Sequence, residues 1–269
     1  MALAPIDKIF AGSIPQVYQS HFVPLIFEPY AKDIAARLVK RKVSRVLEIA
    51  AGTGVVTRAI DAALDESVAL VSTDLNPAML EEARAKGTRR SVDWRPADAM
   101  ALPFDDGSFD CVVCQFGVMF FPDKVHALSE ARRVLSPGGV FLFNVWDRIE
   151  ENEFADVVTQ ALATVFPKDP PRFMARTPHG YHDVGVLKGH LAAAGFVDPV
   201  IETVAKRSVA PRALDPAIAY CQGSPLRSEI DARGSLEEAT RAAARAIEER
   251  FGPGPVDGKI QAHVVTAEV

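Results

Sequence analysis

The stretch Val46-Leu47-Glu48-Ile49-Ala50-Ala51-Gly52-Thr53-Gly54 constrains this chain more than any other. An apolar run ends in an acid and then in a loop carrying two glycines. A buried strand of a parallel sheet reads as such a run, because neighbouring strands and flanking helices exclude water from both faces. Gly52 and Gly54 permit a tight turn and let a ligand approach the backbone closely. Val55 to Leu64 suits a helix. Strand, glycine turn and helix form the first half of a nucleotide-type binding unit.

Strand-like and helix-like segments alternate from about residue 25 to 205. A helix is expected over Leu25–Val39 and strands over Arg45–Ile49, Val68–Thr73, Val92–Ala97, Phe109–Phe116 and Val140–Trp146. Asn76-Pro77 starts a helix, Asp123 caps another, and Pro137-Gly138-Gly139 turns the chain into the fifth strand. Helices are also expected over Asn152–Phe166 and after Asp183, where Gly195 closes the second. A sixth strand follows over Phe196–Val204, and Ile260–Glu268 forms the last. Ser235 and Glu238 form a capping box for an alanine-rich helix to about Phe251. Strands separated by helices imply a doubly wound, mostly parallel sheet.

Charge and composition remove several function classes. The formal net charge of −5, with acids and bases interspersed, does not suit a nucleic-acid backbone binder. No apolar run reaches the length of a membrane span. Met1–Phe10 lacks the basic start and apolar centre of a signal peptide. Three cysteines are too few for a disulfide framework. Cys111 and Cys114 lie in a strand, where positions three apart face opposite ways, so buried structural thiols are expected and a cytoplasmic setting follows.

Two ligand classes fit the glycine unit. A dinucleotide wants G-x-G-x-x-G, but Thr57 stands at the third glycine position. Glu48 is a poor neighbour for a pyrophosphate, and more than forty residues precede the unit. S-adenosylmethionine has no phosphates and carries an ammonium group. A carboxylate at Glu48 can meet that cationic end, directly or through water. Asp74, twenty residues beyond Gly54, can accept hydrogen bonds from ribose hydroxyls in either ligand. Glu48 and Thr57 favour the second.

Five motifs then occur in order between residues 44 and 146: Glu48-Ile-Ala50-Ala-Gly52-Thr-Gly54, Thr73-Asp74-Leu75-Asn76-Pro77, Ala97-Asp98-Ala99-Met100, Phe109-Asp110-Cys-Val-Val-Cys-Gln115-Phe116 and Leu135-Ser-Pro137-Gly138-Gly139. Together they resemble the class I S-adenosylmethionine-dependent methyltransferases of the small-molecule, ubiquinone/menaquinone-biosynthesis-like branch. Ala50 stands where that family usually has its first glycine. The resemblance implies a Rossmann-like α/β fold: a doubly wound, mostly parallel seven-stranded sheet with its last strand antiparallel, plus a helical cover. It implies one domain, with an N-terminal helical cap over 1–43, a cofactor core over 44–146, cover insertions over 147–182 and 205–259, and a final strand over 260–269. It also implies roles. Glu48, Ala50, Gly52 and Gly54 would hold the methionine moiety, and Asp74 the ribose. Leu75 and Met100 would flank the adenine, with Asp98 and the Ala99 backbone on its edge. The Gln115 carbonyl would hold the ammonium group. The product would be S-adenosylhomocysteine.

Methyl transfer needs chiefly proximity and alignment. A general base is needed only when the acceptor loses a proton as it attacks. In similar proteins the segment holding Tyr18 and His21 folds over the cofactor, which makes His21 the candidate base and Tyr18 a candidate to close the pocket. Trp146 and Asp147 end the fifth strand and could line an acceptor site. Phe166, Phe173, Met174, Tyr220 and Cys221 suggest a largely apolar cavity for a small organic molecule. His179, Tyr181 and His182 cluster without metal-ligand spacing, and no metal is expected. A second copy of the chain is the one protein partner considered. A nicotinamide-dependent oxidoreductase and a non-catalytic binding module are the alternatives.

Overall fold

The computed structural model describes Ile14–Val269, so the Met1–Phe10 segment lies outside the described residues. Strands β1 (Arg45–Glu48), β2 (Ala69–Asp74), β3 (Asp93–Pro96), β4 (Phe109–Gln115), β5 (Leu135–Trp146), β6 (Val200–Ala210) and β7 (Val256–Glu268) form one sheet in the order β3-β2-β1-β4-β5-β7-β6. The pairs from β3 through β5 are parallel. β7 runs the other way: Gly138 N–H donates to the Val269 carbonyl at 2.9 Å, and Asp147 N–H donates to the Gln261 carbonyl at 3.0 Å. This is the expected α/β sheet with its last strand antiparallel.

Helix α1 (Ile14–Val17) runs into a π-helical stretch, Tyr18–Phe27, and then α2 (Glu28–Leu38). α3 (Val55–Ala63), α4 (Pro77–Lys86), α5 (Lys124–Val134), α6 (Glu153–Val165), α7 (Phe173–Arg176) and α8 (Val184–Ala193) follow. α9 (Leu214–Gln222), α10 (Leu226–Asp231) and α11 (Leu236–Phe251) fill the excursion between β6 and β7. Asn76, Asp123, Asp183 and Ser235 each cap their helix by accepting a backbone N–H. None of the helices among the described residues is long and apolar enough to cross a membrane.

The chain forms two compact units. One comprises Tyr30–Val145, Tyr181–Val204 and Ala262–Val269; among the described residues the other comprises Ile14–Pro29, Trp146–Gly180 and Ala205–Gln261. In the sheet unit, Val46, Leu70, Cys111, Val113, Val140 and Leu142 pack with Ile34 and Leu38 of α2 and Val56 and Ile60 of α3. Side chains alternate along a strand, so residues two positions further on share this face. Those residues are Glu48, Ser72, Gln115 and Asn144, and all four are buried. The same face thus changes from apolar to polar at the carboxyl ends of four adjacent strands, where ligands bind in doubly wound sheets. In the helical unit, α11 packs on α6 and α9, burying Ala239, Ala243 and Ile247.

Several boundaries differ from the sequence expectation. The first helix begins well before Leu25. Pro24 has no N–H for an α-helical ladder, and the stretch around it takes the wider π turn, with Ser208 Oγ donating to the Leu25 carbonyl at 2.9 Å. β6 starts at Val200 rather than Phe196, because Gly195 and Asp198 both adopt positive φ and turn the chain between them. β7 starts at Val256, where Asp257 is held by Arg207 of β6. The Pro137-Gly138-Gly139 segment lies inside β5, its register irregular against β4, because Gly138 and Gly139 already pair with Val269.

Candidate active site

The loop after β1 carries three consecutive alternate residues in left-handed backbone: Ala50 at φ 54°, Gly52 at 56° and Gly54 at 78°. Nothing lies within 4 Å of where a Cβ on Gly52 would stand, so the loop is open above it. Below, Gly52 N–H donates to Asp74 Oδ2 at 2.8 Å, and Asn76 N–H donates to Asp74 Oδ1 at 2.8 Å. Burial holds the Asp74 carboxyl above its ordinary range, opposed by these two N–H groups. Ala97 N–H donates to the Asp74 carbonyl at 3.1 Å, which sets the loop after β3 beside the end of β2. There Asp98 Oδ1 accepts from Met100 N–H at 2.9 Å, Ala99 is buried and Met100 is half-buried. Leu75, by contrast, is 59% exposed. Glycine loop, Asp74-Leu75 and Asp98-Ala99-Met100 are therefore assembled in sequence along the sheet's carboxyl edge.

Glu48 lies beneath this loop rather than in it. Thr57 Oγ1 donates to Glu48 Oε2, and Ser72 Oγ stands 3.1 Å from Thr57 Oγ1. The carboxyl is fully buried, and burial pushes it up to about 8, against the lowering effect of the Thr57 hydrogen bond and the Arg58 charge. It is thus a largely neutral acid at neutral pH. Thr57 is a residue whose role the sequence did not reveal. It stood out only as a missing third glycine, whereas it is the hydroxyl partner of the buried acid.

On the other side of the loop, Gln115 ends β4 opposite Asn144 of β5. The next residue, Phe116, is left-handed at φ 53°. Its N–H is shared by the Asn144 carbonyl at 3.2 Å and Asn144 Oδ1 at 2.9 Å. Gly117 then passes so close to the glycine loop that a Cβ there would stand 2.6 Å from Ala50 Cβ and 2.7 Å from Cys114 Sγ. Cys111 and Cys114 are both buried, and burial pushes both thiols up to about 12. They are inert core groups, as expected.

The helical unit holds the other candidates. Tyr18 stacks on Phe27 at 4.9 Å, Phe22 meets the Tyr220 ring edge-on at 4.9 Å, and Phe27 lies 6.1 Å from Trp146. Ser20 Oγ donates its single hydrogen to the Gln16 carbonyl at 2.8 Å and lies 2.8 Å from His21 Nδ1. His21 therefore donates from Nδ1, and its Nε2 is the basic nitrogen of the neutral ring. The Asp147 carboxylate accepts from Arg148 N–H and Gln261 Nε2 at 2.7 Å each. His179 is buried and donates from Nδ1 to the Asp147 carbonyl at 2.8 Å. Tyr181 belongs to the sheet unit, where its hydroxyl meets His190 Nδ1 at 2.8 Å. Among the described residues no group of three or more metal-ligating side chains is assembled.

Residues 47–143 match the methyltransferase-domain family. A ubiquinone/menaquinone biosynthesis C-methyltransferase of Serratia proteamaculans is 32% identical over 169 residues, covering 58% of this chain and 67% of the relative. The chain belongs to the class I S-adenosylmethionine-dependent methyltransferases. Solved structures share the fold. A methyltransferase from Bacillus halodurans superposes with a TM-score of 0.58 at 21% identity, over 88% of this chain and 97% of its own. The Haemonchus contortus phosphoethanolamine N-methyltransferase 2, in complex with S-adenosyl-L-methionine, gives 0.59 at 17% identity, over 98% of this chain and 58% of its own.

The methyltransferase's cofactor is S-adenosylmethionine, and the residues present suit it. The loop is open above Gly52, and Leu75 offers an uncovered apolar side chain. Thr53 Oγ1 and Asn144 Nδ2 are buried without a hydrogen-bond partner. Buried polar atoms are seldom left unmet, so both invite a polar ligand or water.

Proposed function

We propose that this methyltransferase acts on a small organic acceptor with an apolar or aromatic body. The observation that carries this reading is the aromatic set of the helical unit, Tyr18, Phe22, Phe27, Trp146 and Tyr220, whose rings pack against one another and carry no charge. The Serratia relative is a C-methyltransferase of ubiquinone/menaquinone biosynthesis, which agrees with such an acceptor. The whole chain is read as serving this one reaction.

When bound, the cofactor supplies a sulfonium-activated methyl group. The chain's own residues hold and orient the reactants. Asp74 accepts from the ribose hydroxyls while its backbone-bound geometry keeps it fixed, and Leu75 and Met100 flank the adenine. Asp98 and the Ala99 backbone meet the adenine edge. Gly52 and Gly54 give the methionine moiety room, and the Gln115 carbonyl accepts from its ammonium group. Glu48, buried and protonated, supports the glycine loop from beneath, with Thr57 fixing its position. His21, through Nε2, is the proposed base where the acceptor must lose a proton, and Tyr18 is the ring proposed to accompany it.

The test is methyl transfer from labelled S-adenosylmethionine across a panel of quinols, phenols, amines, peptides and nucleic acid. Transfer to ring-bearing small molecules and none to peptides is the expected result. Transfer to peptides or nucleic acid alone would sink the reading. Stabilisation by S-adenosylhomocysteine but not by NADH or NADPH in thermal unfolding is expected alongside it.

A further inference from the structure

Three strands away from the acid on the ribose side, β5 carries an amide whose two ends are treated differently. Asn144 is fully buried. Its Oδ1 accepts from Phe116 N–H at 2.9 Å, although Asn144's own carbonyl is already an acceptor for that N–H at 3.2 Å. Its Nδ2 has no hydrogen-bond partner. For stability alone this is a poor arrangement. The N–H needs only one acceptor, and a buried donor left unmet costs about 1–3 kcal/mol. An apolar side chain of the same size would lose one redundant bond and remove one unmet donor.

The place where Asn144 acts gives the amide a use. Phe116 is left-handed at φ 53°, a backbone state that a bulky residue adopts only when its surroundings impose it. That turn immediately follows Gln115 and sets the direction of the Gln115 carbonyl. Tyr30 packs edge-on against the Phe116 ring at 5.2 Å and holds the turn from the other side. We propose that Asn144 is a positioning residue for the cofactor's amino-acid end: its amide holds the left-handed turn at Phe116 and so aims the Gln115 carbonyl. This rests on the reading of the Gln115 carbonyl as the acceptor for the methionine ammonium group.

The test compares Asn144→Leu, Asn144→Ala and Asn144→Asp with wild type, using calorimetric binding of S-adenosylhomocysteine and of methylthioadenosine, which lacks the amino-acid end. Asn144→Leu is expected to unfold close to the wild-type temperature yet bind S-adenosylhomocysteine about tenfold or more weakly, the effect of losing one hydrogen bond to a charged group. Methylthioadenosine affinity should stay within about twofold in the same variant. Asn144→Ala should show the same selectivity, which covers the case of a leucine that packs badly. Asn144→Asp keeps an acceptor for Phe116 N–H and should recover most of the loss. Wild-type-like S-adenosylhomocysteine binding in both the Leu and Ala variants overturns the role of Asn144. Equal weakening of both ligands overturns the Gln115 reading instead, because the turn would then act beyond the amino-acid end.

Discussion

Asp74 Oδ2 accepts from the backbone N–H of Gly52 at 2.8 Å, so the acid read as the ribose partner is also the staple that fixes the glycine loop. One carboxylate thereby couples loop shape to ribose recognition. Asp74→Ala removes both functions. S-adenosylhomocysteine affinity is expected to fall at least about tenfold by calorimetry, from hydrogen bonds to a charged group worth about 1.5–3 kcal/mol. The ligand-free protein should also lose about 1–3 kcal/mol in urea unfolding, because Gly52 N–H loses its acceptor. Unchanged affinity would remove Asp74 from the site.

The buried Glu48 gives stability a defined pH dependence. Its carboxyl is pushed up to about 8 from an ordinary 4.5, so the folded protein keeps a proton that the unfolded chain releases between those values. Stability from this group is therefore full at low pH and lost as pH rises from about 4.5 towards 8, with a slope of at most ~1.4 kcal/mol per pH unit. Asp74 is shifted in the same direction and contributes with the same sign. Glu48→Gln keeps an acceptor for Thr57 without the titration, so its unfolding free energy should vary less with pH than that of wild type. Parallel pH profiles for the two proteins would contradict the buried neutral acid. Thr57→Val should cost about 1–3 kcal/mol at any pH, since it leaves Glu48 Oε2 short of its closest donor.

His21 is offered one tautomer by its neighbour. Ser20 commits its hydroxyl hydrogen to the Gln16 carbonyl, so His21 gives its Nδ1 hydrogen to Ser20 Oγ and keeps Nε2 basic. For an acceptor that must be deprotonated, His21→Ala should lower kcat by about a hundredfold or more with S-adenosylhomocysteine affinity unchanged. Ser20→Ala should lower it less, by loosening the ring without removing it. Wild-type kcat in His21→Ala across acceptors of differing acidity would remove the base assignment.

What the sequence made legible was local. The run from Val46 to Gly54, Asn76 before Pro77, and the caps at Asp123, Asp183 and Ser235 are each decided within one turn of chain, and each lies where its pattern indicated. Strand periodicity also fixes which residues share a face, but it does not say which partners meet there. Thr57 and Ser72 come to Glu48 through the packing of α3 on β1 and β2, nine and 24 residues away. Asn144 meets Phe116 only through the β4–β5 register, across 28 residues. β6 begins later than its apolar pattern indicates because Asp198, not a glycine, adopts positive φ after Gly195.

Ala50 and Gly117 divide one space between them: a Cβ on Gly117 would stand against that of Ala50. Ala50 holds φ 54° in spite of its Cβ, a strain of about 1–2 kcal/mol that glycine would not carry. Ala50→Gly relieves it but adds freedom to the unfolded chain worth about 0.4–1 kcal/mol, so a net gain between zero and about 1.6 kcal/mol is expected. Gly117→Ala instead drives a methyl to 2.6 Å from Ala50 Cβ and 2.7 Å from Cys114 Sγ. It should cost about 1–3 kcal/mol and displace the Gln115 turn, weakening S-adenosylhomocysteine binding as well. In the double variant Ala50→Gly/Gly117→Ala one of the two clashes disappears. Its unfolding free energy should exceed the sum of the single effects by about 0.5 kcal/mol or more in urea titrations, the signature of residues in direct contact. Strict additivity would mean that the two loops do not touch as described. A double variant that regains stability but not affinity would separate the clash with Ala50 from the aim of the Gln115 carbonyl, since the Cys114 contact would still displace the turn.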